Sequence, residues 1–209
     1  MTRLLHIAAS PRGPASESLK IAQTFLDAYR EAHPDNEIQT WNLWDGSLPA
    51  FGPAAAAAKM AVFAGRTPEG DPAAAWDTAH KTFVRFNSAR HLLFSVPMWN
   101  AGIPYILKQL IDVISQPGMV FGVDPRDGYS HLLEGQGNKA AVIYTSAVWG
   151  PGLSSAFGSN FQSTFFEDWL RWAGITDITP IRYHPTLNGS AEEARRRAHG
   201  AAREQGRRF

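Results

Sequence analysis

Residues 91–112 constrain this chain more than any other stretch. His91-Leu92-Leu93-Phe94-Ser95-Val96 is an apolar run of strand length. It enters Pro97-Met98-Trp99-Asn100-Ala101-Gly102, a loop punctuated by Pro and Gly. Behind the loop, Ile103, Ile106, Leu107, Leu110, Ile111 and Ile114 lie on one stripe of a helix. A buried strand that turns straight into an amphipathic helix is half of a βαβ unit. In open α/β sheets the loop at the carboxyl end of such a strand is where ligands bind. This loop carries a Met, a Trp and an Asn, an unusually aromatic connector.

Two more apolar strands end in polar or Gly-rich loops. Residues 3–9 lead into Ser10-Pro11-Arg12-Gly13-Pro14-Ala15-Ser16-Glu17-Ser18, and residues 139–145 lead into Ser146-Ala147-Val148-Trp149-Gly150. If the three strands are parallel neighbours, the three loops converge on one crevice.

The remaining pattern alternates in kind. A helix is predicted over 16–33, closed by Pro34. A second, more exposed strand follows over 37–43. Residues 44–70 read as irregular apart from an Ala-rich helix over 54–64. Helices are expected over 72–87 and 103–115, a short strand over 119–123, and a hairpin or flap over 124–138. Phe157, Phe161, Phe165, Trp169 and Trp172 recur at helical spacing and predict a helix over 157–173, capped by Gly174. A fifth strand is expected over 175–183, and a solvated, Arg-rich helix from Ser190 onward. The alternation predicts one domain over 1–209. Its core is a doubly wound, five-stranded parallel sheet with helices on both faces, plus a flap inserted around 119–138.

Composition narrows the chemistry. Cysteine is absent, which rules out disulfides, thiolate metal ligands and a cysteine nucleophile and fits a reducing cytoplasm. Twenty Lys and Arg against 19 Asp and Glu give a net charge of +1, so no charge excess points to nucleic acid. No apolar run reaches the roughly 18–20 residues of a membrane span, and the chain enters a strand at once, predicting no secretory signal. No His, Asp and Glu cluster has metal-ligand spacing.

The loop over residues 10–18 joins a buried strand to a helix start. Ser10, Ser16 and Ser18 bring hydroxyls, Arg12 a cation, and the first helical turn its free N–H groups, which together suit a phosphate monoester. Helix capping by Ser16 is the plainer reading, but it uses only one of the three hydroxyls. The Gly-x-x-x-x-Gly-Lys and Gly-x-Gly-x-x-Gly patterns are missing, which argues against an NTPase loop and a dinucleotide site. Aromatic and thioether groups at Met98, Trp99 and Trp149 suit a flat ring system next to that phosphate. FMN has this shape.

At these residues the chain resembles the FMN-dependent NAD(P)H azoreductase/quinone reductase family of flavodoxin-like fold. Ser10-Pro11-Arg12-Gly13 with Ser16-x-Ser18 is similar to its phosphate loop. Pro97-Met98-Trp99-Asn100-x-Gly102-Ile103-Pro104-x-x-Leu107-Lys108-x-x-Ile111-Asp112 is similar to its central signature. Phe121 and Gly128…Leu132-Leu133-x-Gly135…Lys139 resemble its active-site flap. The resemblance implies a homodimer with one FMN per protomer, reduced by NADH or NADPH and reoxidised by a quinone or azo compound in ping-pong order. By position, Ser10, Arg12, Ser16, Glu17 and Ser18 would hold the phosphate. Pro97, Met98, Trp99, Asn100 and Ala101 would border the isoalloxazine, with main-chain amides near its polar edge. Thr145, Ser146 and Trp149 would meet the pyrimidine end, and Phe121, Trp149 and Ala101 the substrate. No side chain need act as acid or base, because the flavin carries the hydride. The family usually has Tyr at position 99, Phe at 101 and Ser-x-Gly-Gly-x-Tyr in the third loop, so Ala101 is expected to leave more room over the ring.

Other tempting residues have plain structural readings. His6 is expected in the core, His131 and His184 in exposed loops, Asp112 in a salt bridge, the Phe and Trp stripe over 157–172 in core or dimer packing, and Arg195-Arg196-Arg197 on a solvated face. Ser10 and Ser146 lack a Gly-x-Ser-x-Gly elbow, against a hydrolase. A flavodoxin-like electron carrier and a flavin-free binding module are the competing functions.

Overall fold

The computed structural model describes residues 2–187 and 191–209. Five parallel strands form one sheet: β1 (Arg3–Ala8), β2 (Glu37–Asn42), β3 (His91–Pro97), β6 (Lys139–Thr145) and β7 (Asp177–Tyr183), in the order β2-β1-β3-β6-β7. The remaining strands, β4 (Phe121–Asp124) and β5 (Gly128–His131), pair antiparallel as a separate hairpin. The helices are α1 (Glu17–Ala32), α2 (Pro53–Phe63), α3 (Gly70–Phe86), α4 (Tyr105–Ile114), α5 (Gln162–Ala173) and α6 (Ala191–Arg208).

Successive strand side chains alternate between two cores, as the pleat requires. Leu5, Ile7, Leu92, Phe94, Val142 and Tyr144 point to the face covered by α3, α4 and α5. Leu4, Leu93, Ala141, Ile143 and Ile181 point to the face covered by α1 and α6. Central strands buried on both faces read as unbroken apolar runs. β2, at an edge, exposes most of its side chains, and β7, at the other edge, carries Pro180, which has no N–H to offer.

Several boundaries differ from the sequence pattern. The α4 helix starts at Tyr105, because Pro104 stands as its N-cap with ψ 143°, outside the helical region. The aromatic helix starts at Gln162 rather than 157: Phe157 closes a 3-10 turn, Gly158 takes φ +97°, and Phe161 sits half outside the helix and exposed. The extended segment over 119–123 narrows to β4, whose partner β5 comes from the expected flap. Ser190, the expected start of the last helix, lies outside the described residues.

That last helix is only half solvated. Ala194, Ala198, Ala202 and Gly206 recur every four residues and are buried against α1. At Gly206 the helices come so close that a Cβ would stand 2.4 Å from the Phe25 carbonyl oxygen. Pairing of Arg197 with Glu193 and of Arg208 with Glu204 leaves the opposite face charged.

Candidate cofactor site

The switch in strand order falls between β1 and β3, since β2 is reached to one side of β1 and β3 to the other. Ala9 N–H donates to the Ser95 carbonyl (3.1 Å), tying the two strand ends together just before their loops diverge.

From Ala9 the chain passes through a 3-10 turn (Gly13–Ala15) into α1. Ser16 is the N-cap: its Oγ accepts from Leu19 N–H at 3.4 Å and lies 3.1 Å from Ser18 Oγ. Ser10, Ser16 and Ser18 are all buried, with Ser18 fully inaccessible. Buried hydroxyls clustered at a helix start, with the first-turn N–H groups beside them, suit an anion. Arg12 is exposed and has no ion-pair partner among the described residues. The Glu17 carboxylate is turned aside to Lys20 (2.6 Å) and toward Arg195 (3.7 Å), so its contribution at the helix start is its main-chain N–H.

Residues 99–102 form a tight two-residue turn closed by reciprocal bonds between Trp99 and Gly102, both 2.9 Å. Asn100 (φ +48°) and Ala101 (φ +66°) both occupy the left-handed region, the signature of a type I′ turn. Asn tolerates this conformation; Ala does so at a cost of order 1 kcal/mol. The turn also fixes which amides remain available. Met98 N–H is used by Thr145 O (2.7 Å) and Trp99 N–H by Gly102 O, so the donors left at the tip are those of Asn100 and Ala101.

Trp99 does not stand alone. Trp44 tilts against it (5.7 Å between centroids), and Tyr105 meets Trp44 edge-on at 5.2 Å. Trp44 Nε1 donates to Ala9 O (3.1 Å), so this indole bridges the end of β1 to the central loop. Trp44 and Tyr105 went unassigned in the sequence because neither belongs to a motif. Trp44 opens the irregular stretch, and Tyr105 lies off the apolar stripe of α4.

Thr145 and Ser146 are buried at the end of β6. Ser146 Oγ donates to Trp149 O within its own loop, and Thr186 N–H returns to Ser146 O at 2.9 Å. Trp149 leans on His184, ring centroids 5.0 Å apart. His184 is therefore half-buried rather than an exposed loop residue, and burial, aided by Arg182, pushes its pKa down to about 4. His6 lies in the core as expected, Nε2 2.8 Å from Ser95 Oγ, and burial likewise lowers its pKa to about 4. His131 is exposed and pins the hairpin to the Trp172 carbonyl. Lys108 pairs with Asp112 (2.6 Å) on the face of α4, the salt bridge expected of Asp112.

Phe121 corrects an expectation. Its ring is buried among Phe63, Tyr129 and Trp172, with Lys59 above it, so it forms the core of the hairpin and offers no open face to a substrate. A cavity of about 910 Å³ is lined by Phe51, Trp99, Asn100, Tyr105, Phe161 and Phe165 among others. Its lining includes the central loop but not the serine loop; the ends of β1 and β6 are tied to β3 and the central loop by the Ala9–Ser95 and Thr145–Met98 main-chain bonds and by the Trp44 indole.

The strand order β2-β1-β3-β6-β7, with loops gathered at the β1/β3 switch point, defines a doubly wound α/β protein whose ligand crevice lies at the carboxyl ends of the strands. A family model described as Flavodoxin-like fold matches residues 2–205. An FMN-dependent NADH:quinone oxidoreductase from Ruegeria pomeroyi is 46% identical over 187 residues, covering 90% of this chain and 91% of that protein. FMN-dependent NADH:quinone oxidoreductase 9 from Burkholderia lata is 40% identical, covering 93% and 94%. The solved structure of an FMN-dependent NADH-azoreductase from Bacillus anthracis in complex with FMN superposes with a TM-score of 0.88 at 22% identity, over 100% of this chain and 99% of that one, a likeness of fold. The chain belongs to this family: it is a flavodoxin-like protein of the FMN-dependent NADH:quinone oxidoreductase family. No described helix is long and apolar enough to cross a membrane, and no metal-binding cluster occurs among the described residues.

Proposed function

We propose that this protein is an FMN-dependent oxidoreductase that takes electrons from NADH or NADPH and passes them to quinones or azo compounds. The observation that carries the reading is the trio of buried serine hydroxyls at the start of α1, set at the switch point beside an aromatic, positive-φ turn. These residues fit FMN. Ser10, Ser16 and Ser18, with the N–H groups of Glu17 and Ser18 and the cation of Arg12, would hold the phosphate. Pro97, Met98, Trp99, Asn100 and Ala101 would border the ring, with the unclaimed amides of Asn100 and Ala101 as donors to it. Thr145, Ser146 and Trp149 would meet its pyrimidine end. Bound FMN supplies the hydride and electron chemistry. The chain's own residues bind, orient and exclude water, and none is required as a proton donor. Donor and acceptor would bind in turn, a ping-pong order, at a site that Ala101 and Trp149 would help to line.

We further read the whole chain as one domain acting as a homodimer in the cytoplasm. The dimer reading is supported by Tyr105, Phe161 and Phe165, apolar side chains exposed around the large cavity on the α4 and α5 face. The absence of cysteine fits the compartment.

The test is the visible spectrum after incubation with excess FMN and desalting. Retained flavin bands, bleached by NADH and restored by a quinone, are expected. A colourless protein would overturn the reading in favour of a flavin-free module. A flavoprotein that turns over no quinone would favour an electron carrier.

A further inference from the structure

Helix α5 begins where β3 and β6 end, and its first residue is Gln162. The side chain is completely buried. Its Nε2 donates to Val96 O at 2.8 Å and lies 3.4 Å from Thr145 O. Val96 is the last buried residue of β3 before Pro97, and the same Thr145 carbonyl receives Met98 N–H at 2.7 Å. One amide therefore clasps the two strand ends whose loops carry the central turn and the third loop. A residue earlier, Phe161 N–H donates to Ala101 O at 2.9 Å, holding the turn by its tip. The clasp is itself braced: Asn160 Oδ1 accepts from Ser163 N–H (3.0 Å) and Asn160 Nδ2 donates to Ser163 Oγ (2.6 Å).

Packing does not ask for an amide here. The helix buries Phe166, Trp169, Leu170 and Ala173 on the same side, and Leu or Met would fill the volume of Gln162. Gln162 Oε1 is buried with no donor among the described residues, a desolvated acceptor that an apolar side chain would avoid. The two bonds from Nε2 are what a Leu or Met could not supply. Turn residues Asn100 and Ala101 both hold unfavourable positive φ, and such a conformation persists only where its surroundings fix it.

We propose that Gln162 is a positioning residue: its buried amide sets the placement of residues 97–102, and through them the seat of the flavin ring. The inference rests on the flavin reading above. Groups that seat a reacting ring must be held within about half an ångström, and a main-chain clasp achieves this without touching the ligand.

The test compares wild type with Gln162→Met, which keeps volume and removes the donors. Three readouts are used: thermal midpoint, amide hydrogen exchange of Met98, Trp99 and Gly102 in the apo protein, and FMN dissociation constant with its visible spectrum. The expected result is a midpoint close to wild type, turn amides exchanging about tenfold faster, and an FMN dissociation constant raised about tenfold with displaced flavin bands. Unchanged exchange and an unchanged flavin site would overturn the proposal. So would a lowered midpoint with exchange and flavin binding unaltered, because that describes a residue that only packs. Should Gln162→Met not fold, Gln162→Asn keeps the amide, shortens its reach by one methylene, and is judged by the same readouts. If wild type itself refuses FMN, the flavin reading fails, while the exchange data on the apo protein still decide whether Gln162 holds the turn.

Discussion

At the scale of single residues, the hydroxyls of the first loop divide their work. Ser16 caps α1 and also touches Ser18, so Ser16→Ala would remove a cap along with the proposed phosphate contact, whereas Ser18→Ala would remove the proposed contact and the bond to Ser16 but leave the cap. Ser16→Ala is expected to lower stability by about 1 kcal/mol, and both variants to weaken FMN binding about tenfold, roughly one charge-assisted hydrogen bond. Titration calorimetry beside thermal melts separates the two effects; a Ser18→Ala variant that binds FMN as tightly as wild type would remove that hydroxyl from the site. Ala101 is the other informative position. Placing Phe there should slow bulky acceptors more than small ones, measured as the ratio of their kcat/KM values, while Ala101→Gly should stabilise the turn by about 1 kcal/mol because Gly occupies positive φ freely. Faster turnover of bulky acceptors by Ala101→Phe would contradict the reading of open space over the ring.

At the scale of elements, the parallel strands, the serine loop and the central turn were legible because each follows from a local pattern: an apolar run, a cap signal, a Pro- and Gly-bounded loop. The start of α5 was not. Five aromatics at helical spacing over 157–172 continue the helical pattern through a 3-10 turn, and only tertiary pairing with Ala101 shows that Phe161 precedes the helix. Gln162 was hidden by the same stripe, since the value of a lone amide lies in the carbonyls that reach it from distant strands. Phe121 looked like a substrate contact by its place in a motif, and its packing partners Phe63 and Trp172 come from segments that the motif does not contain. The α6 helix shows the reverse, an Ala stripe that read as solvated because Ala is a weak burial signal. Its tightest point gives a prediction: Gly206→Ala should cost about 1–3 kcal/mol through overpacking against Phe25, lowering the thermal midpoint by roughly 2–10 °C. An unchanged midpoint would mean that α6 can slide away from α1.

At the scale of the whole molecule, His6, His91 and His184 share one property. Burial holds each near pKa 4 when folded, against about 6.5 unfolded. The unfolded chain therefore binds more protons than the native one between those values, and stability is full above pH 6.5 and falls as pH drops toward 4. Urea midpoints should decline from pH 7 to 5, and His6→Gln should flatten that slope; a slope unchanged by the substitution would mean that His6 does not set it. Pro180 bears on how copies of this chain can meet. Because it interrupts the amide row of the outer strand β7, and because β2 lines the other border with Glu37 and Gln39, neither border invites a further strand. Growth of the sheet into filaments is thereby discouraged, which leaves the helical flanks, where Tyr105 and Phe161 stand exposed, as the surface for the proposed dimer.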